Sequence, residues 1–400
     1  MPAARRRPLP IEIDAAAGPF PLGMPPARFL REYWQKRPLL IRNAFPGYVA
    51  PLEPEDLAGL ACEEGVLARL IQHDRARDGW RVRHGPFAED DFPGLPDHDW
   101  TLLVQDMDKW DADLRALLDH FAFLPRWRID DVMVSFAATG GSVGAHVDQY
   151  DVFLLQARGH RRWQIDAGPN PPLDFRPDVE LKLLQRFTPT HDWVLAPGDM
   201  LYLPPGVPHH GIAEDPCLTF SVGMRAPAAA ELLGDYVDTL AAEAPDDLRY
   251  ADPDLAPPAD PWEIDRAALR RAVAALQALR MRDPEQLADW FAGFITRYRN
   301  AMEPAGDGVV PTPETLAAAL ATGARLARHP WSRMAWRRAA RDARLYAGGQ
   351  VLAMGVRDAA RLAAADTLDG ADWQRLGARG RAAVCALLGA GHYRVDHAPA

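Results

Sequence analysis

A chain of 400 residues that is 48% hydrophobic, 25% charged and net −10 has room for more than one domain and makes a poor general nucleic-acid binder. No run approaches the ~18 apolar residues of a membrane helix, and the basic start (Arg5, Arg6, Arg7) leads into Pro8, Pro10, Glu12 and Asp14, not a signal core, so a cytoplasmic location is expected. Cys62, Cys217 and Cys385 form no CxxC pair, which argues against a disulfide framework or zinc knuckle and leaves His, Asp or Glu to hold any metal.

In chain order, residues 24–34 read as a helix opened by Pro25 and Pro26, and 54–70 as a second proline-led helix. Residues 39–41 and 101–104 read as strands. From 131 to 225 short β-rich runs alternate with Gly/Pro turns: 132–136, 152–156, 161–165, 193–195, 200–203 and 218–222. The spacing over 157–160 predicts a hairpin between the second and third runs. So many short strands predict a sandwich or barrel.

After Pro227 the pattern turns helical, with Leu232, Leu233, Tyr236, Val237 and Leu240 on one stripe. Residues 252–261, with four prolines, read as a linker. Ile264, Leu269, Val273 and Leu276 mark one amphipathic segment; Leu287, Trp290, Phe291, Phe294 and Ile295 mark another. The aromatic face of the second suits a dimer interface and packing within the chain equally. Residues 310–400 read as a small domain with helices over 316–327 and 358–365 and a hairpin over 344–352, a winged-helix pattern. Arg333, Arg337, Arg338, Arg341 and Arg344 form a basic stretch there, read as a solvated helix face in preference to a nucleic-acid surface. The last hundred residues carry +4 and the first 300 carry −14, an acidity that serves solubility or a basic protein partner.

Three features of the β-rich region carry chemistry. On extended chain, residues i and i+2 point to one side, so His146 and Asp148 can reach one metal ion together. His209 lies 63 positions on, after the turn Pro204-Pro205-Gly206-Val207-Pro208, at a strand start. Two His and one carboxylate on one face leave the other metal positions open, as non-haem Fe(II) oxygenases require. His210 would point the other way and is the second choice of ligand. Arg161 shares a strand face with Trp163; pointing inward, it can pair with a carboxylate in a bidentate fork. A 2-oxoglutarate cosubstrate, chelating iron at one end, needs such a cation at the other.

The segments His146-Val147-Asp148-Gln149-Tyr150-Asp151-Val152-Phe153, Gly159-His160-Arg161-Arg162-Trp163 and Pro197-Gly198-Asp199, on through Pro204-Pro205-Gly206-Val207-Pro208-His209, resemble the JmjC-type ribosomal oxygenases. Tyr33-Trp34-Gln35-Lys36-Arg37-Pro38 and Ser221-Val222-Gly223-Met224-Arg225 match as well. The resemblance implies an α+β fold: a double-stranded β-helix (cupin/JmjC) oxygenase domain over 1–227, a helical dimerisation region over 228–305 and a winged-helix-like domain over 306–400. It implies Fe(II) on His146, Asp148 and His209, and 2-oxoglutarate on Arg161 with Ser135. O2 is the second cosubstrate. The implied reaction is hydroxylation of a ribosomal protein, in the bacterial members an arginine of large-subunit ribosomal protein sixteen at C3. Gln149, Tyr150 and Asp151 are candidate substrate contacts. Two departures stand out: Ala137 occupies the place of a second serine near the cosubstrate, and His210 replaces an acidic residue after the distal His. Rival expectations are histidine hydroxylation, lysine or arginine demethylation, and a non-catalytic cupin scaffold.

Overall fold

The computed structural model describes residues 9–257, 260–299 and 301–396; Arg5, Arg6, Arg7 and, within the expected linker, Pro258 lie outside them. Contacts gather residues 1–226 into one unit and 227–400 into another.

The first unit contains strands β1 (Glu12–Asp14), β2 (Leu39–Arg42), β3 (Ala68–Asp74), β4 (Gly79–His84), β5 (Trp100–Val104), β6 (Ile129–Ala137), β7 (Val152–Arg158), β8 (Arg161–Ile165), β9 (His191–Leu195), β10 (Met200–Leu203), β11 (His209–Ala213) and β12 (Cys217–Met224). Helices α1 (Pro26–Glu32), α2 (Pro54–Leu60), α3 (Met107–Trp110) and α4 (Ala112–Leu117) accompany them. Nine strands form one sheet in the order β1-β2-β10-β7-β12-β6-β5-β3-β4; β11-β8-β9 form a second.

Strand alternation decides which side chains face which layer. Val132, Val134, Phe153, Leu155, Leu218 and Phe220 join Phe29, Tyr33 and Leu57 in a core on one face of the large sheet. On its other face Val152, Leu154, Leu201 and Leu203 meet Trp163, Ile165 and Leu195 of the small sheet. The site lies on this second face.

Three expectations for this unit need correction. The helix expected over 54–70 stops at Leu60; Gly65 takes φ +81°, and β3 starts at Ala68. The β-rich core is not confined to 131–225, because β1 to β5 complete the large sheet. The hairpin expected around 157–160 is absent: β7 pairs with β10 and β12, whereas β8 pairs with β11 and β9. Gly159, at φ +63°, turns the chain from one sheet to the other, and a Cβ there would lie 2.4 Å from the Pro216 carbonyl oxygen.

The second unit starts with helices α5 (Ala229–Ala242), α6 (Arg266–Ala278), α7 (Pro284–Arg297) and α8 (Pro313–Ala321). Strands β13 (Arg325–Arg328), β14 (Met334–Arg338), β15 (Ala343–Ala347) and β16 (Gln350–Met354) follow, then α9 (Val356–Ala364), β17 (Thr367–Leu368), α10 (Gly370–Arg375), α11 (Ala378–Gly389) and β18 (Tyr393–Asp396). Leu316, Leu320, Leu345, Leu362, Trp373 and Leu387 form its core. The helix expected over 316–327 ends at Ala321, where Gly323 takes φ +96° and β13 begins two residues later. The arginine-rich stretch is not a helix face: Arg337, Arg338 and Arg344 lie on the antiparallel pair β14–β15, with Arg333 just before it and Arg341 in its turn. Arg337 pairs with Asp289 at 2.5 Å and Glu285 at 2.9 Å, Arg344 also pairs with Asp289, and Arg338 lies over the Trp336 ring.

Candidate metal centre and cosubstrate pocket

His209 opens β11, and the segment carrying His146 pairs with it in an isolated antiparallel bridge. Each amide donates to the other's carbonyl at 3.0 Å. Directly opposed residues project to one side of a ladder, so the two imidazoles meet, with ring centroids 4.2 Å apart. Asp148 joins them: one carboxylate oxygen lies 4.0 Å from His146 Nε2 and the other 3.6 Å from His209 Nε2. One ligand atom from each of the three lies within 4.8 Å of the others.

The hydrogen bonds assign the tautomers. His146 Nδ1 lies 3.0 Å from the Gly144 carbonyl, and His209 Nδ1 lies 2.9 Å from that of Val207. A carbonyl only accepts, so each Nδ1 carries a proton, which in the neutral ring leaves Nε2 to present its lone pair, as a metal ligand must. Burial, then the neighbouring His146, pushes His209 down to about 4, which keeps it neutral and ready to coordinate. His210, the second choice, points away; it lines a cavity of about 260 Å³ with His73, Trp80 and Leu183 on the other side of β11.

Behind the triad lies Arg161, 3% exposed. The alternating burial of β8 puts it on the inner face with Trp163 and Ile165. Its Nη1 donates to Ser135 Oγ at 3.2 Å and Thr219 Oγ1 at 3.4 Å, and its Nη2 to the Gly211 carbonyl at 3.5 Å. Its Nε, buried, has no partner, and no carboxylate pairs with it among the described residues. Burial holds its guanidinium below the ordinary arginine value. A buried cation without a counter-ion is costly, so the pocket as built fits a small dianion that brings a carboxylate to Arg161. Only glycine fits at 211: a Cβ there would lie 2.8 Å from Arg161 Nε and 2.7 Å from the Trp163 ring.

The other expected residues separate. Ser135 accepts a hydrogen bond from Arg161 Nη1. Gln149 and Tyr150 lie exposed beside Asp148. Asp151 does not join them and cannot contact substrate: it is 0% exposed, and its carboxylate accepts from Tyr202 Oη at 2.7 Å, Gln35 Nε2 at 2.9 Å and Arg128 at 3.4 Å. Residues 148–151 are not strand: β7 begins only at Val152, and bends at Gln149 and Tyr150 carry Asp151 to Tyr202. Tyr202 is raised by burial and then by Asp151.

Sequence reasoning missed Thr219, Gln156 and Asp131. Thr219 pairs in register with Ser135 and donates to Gln156 Oε1 at 3.1 Å. Asp131 precedes Ser135 by four positions and shares the site-facing side of β6. Removal from water, then Asp106 and Asp130, push its carboxyl up to about 7. Although Tyr150 as a residue is 39% exposed, removal of its hydroxyl from water, then Asp148 and Asp131, raise it above the usual phenol value. Alternation in 131–135 carried that signal; the register of β12 carried none.

A JmjC domain family matches residues 116–232, a ROXA-like winged helix 277–394, and an AraC-like ligand binding domain 190–298. The ribosomal protein uL16 3-hydroxylase of Escherichia coli is 38% identical over 308 residues, covering 75% of this chain and 79% of that protein. The chain belongs to the JmjC-type ribosomal oxygenases. A probable ribosomal oxygenase of Haemophilus influenzae is 39% identical over 284 residues, 70% of this chain and 68% of that one. The crystal structure of E. coli YcfD superposes with a TM-score of 0.81 at 33% identity, covering 92% of this chain and 98% of that one. A second, of YcfD with cobalt and 2-oxoglutarate, superposes at 0.78 with 33% identity, covering 93% and 98%. This ribosomal oxygenase therefore has the double-stranded β-helix fold with a C-terminal winged helix. It is a 2-oxoglutarate-dependent dioxygenase that works with iron.

Proposed function

We propose that the chain hydroxylates the C3 position of an arginine in large-subunit ribosomal protein uL16, with His146, Asp148 and His209 holding Fe(II) and Arg161 and Ser135 holding the distal carboxylate of 2-oxoglutarate. The observation that carries the reading is the buried Arg161 without a counter-ion, set behind three metal-ready ligands. Bound together, iron, 2-oxoglutarate and O2 supply the oxidising chemistry that puts one oxygen atom into a substrate C–H bond and releases succinate and CO2.

The protein's own groups orient and shield. Neutral Nε2 atoms and the Asp148 carboxylate present three ligands on one face. Trp163, Leu154 and Leu203 exclude water from the inner wall. Asp131, one oxygen of which accepts from the Asp106 amide at 3.0 Å, has its other oxygen to offer a guanidinium near Tyr150; a charged pair of this kind suits arginine's planar fork. The acidic first 300 residues favour a basic ribosomal protein. Such a substrate places the activity in the cytoplasm; among the described residues no helix is long and apolar enough to cross a membrane.

The region 228–305 serves dimerisation: α5 exposes Leu233 and Val237, and α6 exposes Leu269, Val273 and Leu276. A second copy of the chain is the occupant. Residues 306–400 form the winged-helix-like part, whose Arg337 and Arg344 are engaged by Asp289, which speaks against direct nucleic-acid binding.

The test incubates the protein with Fe(II), 2-oxoglutarate, O2 and uL16 peptides and reads a single-oxygen gain by fragment mass spectrometry. Gain on arginine supports the reading; gain on histidine only replaces the substrate, and succinate formation without peptide modification removes it.

A further inference from the structure

Ala137 leaves the cosubstrate pocket one hydroxyl short of the pattern that the resemblance to the ribosomal oxygenases implies. The register shows what stands beside it. Thr101 of β5 is the direct ladder partner of Ala137, just as Leu103 is of Ser135. Opposed residues project to the same face, so the Thr101 side chain lies on the site side, one row from Ser135. Leu102 and Val104 turn the other way, into the core. Thr101 is 0% exposed, and its Oγ1 has no hydrogen-bond partner. A buried hydroxyl without a partner is destabilising, so the position is unfavourable unless something arrives to use it.

A proton inventory narrows the choice. The Thr219 hydroxyl gives its one proton to Gln156 Oε1, so towards Arg161 it can only accept. The Gln156 amide is itself committed to the Arg158 and Gly159 carbonyls. Ser135 points its proton at the Thr219 carbonyl over 3.4 Å, a weak bond easily exchanged. Among these hydroxyls Ser135 and Thr101 are the donors still to be used. The space beside Thr101 is kept by Gly141, where a Cβ would come within 3.1 Å of its Oγ1.

We infer that Thr101 donates to the distal carboxylate of 2-oxoglutarate, taking over the hydroxyl that position 137 lacks. The inference rests on the reading of Arg161 as the anchor of that carboxylate.

The test measures 2-oxoglutarate affinity by calorimetry on full-length protein loaded with Mn(II) and held free of O2, so that no turnover contributes. Thr101→Val is expected to weaken binding roughly tenfold, the size of one hydrogen bond to a charged acceptor. Thr101→Ser is expected to bind like the parent, and Ala137→Ser added to Thr101→Val to recover most of the loss. Thr101→Val within twofold of the parent overturns the inference, as does a loss that Ala137→Ser leaves untouched in a protein of unchanged melting temperature. Arg161→Gln separates the two levels: loss of binding there with Thr101→Val unchanged removes Thr101 alone, whereas unchanged binding in Arg161→Gln removes the underlying reading.

Discussion

His146 and His209 exchange both of their backbone hydrogen bonds, and that single bridge brings together two imidazoles that lie 63 residues apart in the chain. The metal centre is therefore a property of the ladder as much as of the side chains. Removing any one ligand should spare the fold and abolish the metal. Asp148→Ala is expected to lose stoichiometric iron, measured by metal analysis, and to reduce peptide hydroxylation by at least ~1000-fold.

Arg161 should show opposite signs in two assays. Arg161→Met removes a buried cation that has no counter-ion, so the protein free of cosubstrate should melt at a higher temperature than the parent. The same variant should lose the thermal shift that 2-oxoglutarate gives the parent by mass action. A lower melting temperature in the cosubstrate-free variant would mean that Arg161 is compensated within the protein.

Asp151 is structural. Its buried carboxylate ties Tyr202, Gln35 and Arg128 together. Asp151→Ala should cost about 3–5 kcal/mol in urea unfolding, because it strands Arg128 and two polar partners. Asp151→Asn should cost less. Neither should change the peptide KM in the fraction that folds, which is the contrast with a substrate contact.

If Asp131 meets the substrate guanidinium as proposed, substrate binding should depend on pH. Its carboxyl, raised to about 7, is ionised only as the pH rises through that value. The guanidinium stays charged throughout, so KM for the arginine peptide should fall between pH 6 and 8. The linked stability runs the other way. The folded pKa is above the unfolded one, so this group's stabilising contribution is complete below about 4 and is lost as the pH rises through about 7. Asp131→Asn should flatten both profiles, read by initial rates and by denaturant midpoints.

The exposed apolar side chains of α6 give the dimer test. Leu269→Glu combined with Leu276→Glu is expected to halve the mass measured by light scattering. Because the change lies outside the first unit, the hydroxylation rate per active site should hold within a few-fold.

Most of the site was legible because its signals are local. An i, i+2 pair on extended chain and a proline-rich turn before a strand are visible in one dimension, which is why the metal residues and Arg161 could be named. The apparent hairpin at 157–160 misled because a four-residue spacing records loop length, and nothing in it says that Gly159 hands the chain to another sheet. β3 and β4 escaped notice for a related reason: polar residues such as Gln72, His73, Arg81 and Arg83 blunt their apolar alternation. Thr101, Thr219 and Gln156 could not be found at all, since their roles depend on register between segments far apart in sequence. Asp151 shows the same limit in reverse, a residue adjacent to the motif that the bend at Gln149 and Tyr150 carries away to Tyr202 and Gln35.

Each imidazole is steered by a carbonyl two positions upstream in its own segment, Gly144 for His146 and Val207 for His209. The aim of each ring is thus written into a three-residue phrase and repeated. Slippage between the layers would alter how far apart the rings stand, yet each would still offer the same nitrogen. Such duplication lets the barrel wall drift in sequence while the grip on the ion keeps its chemistry, an error tolerance built into two short stretches of backbone.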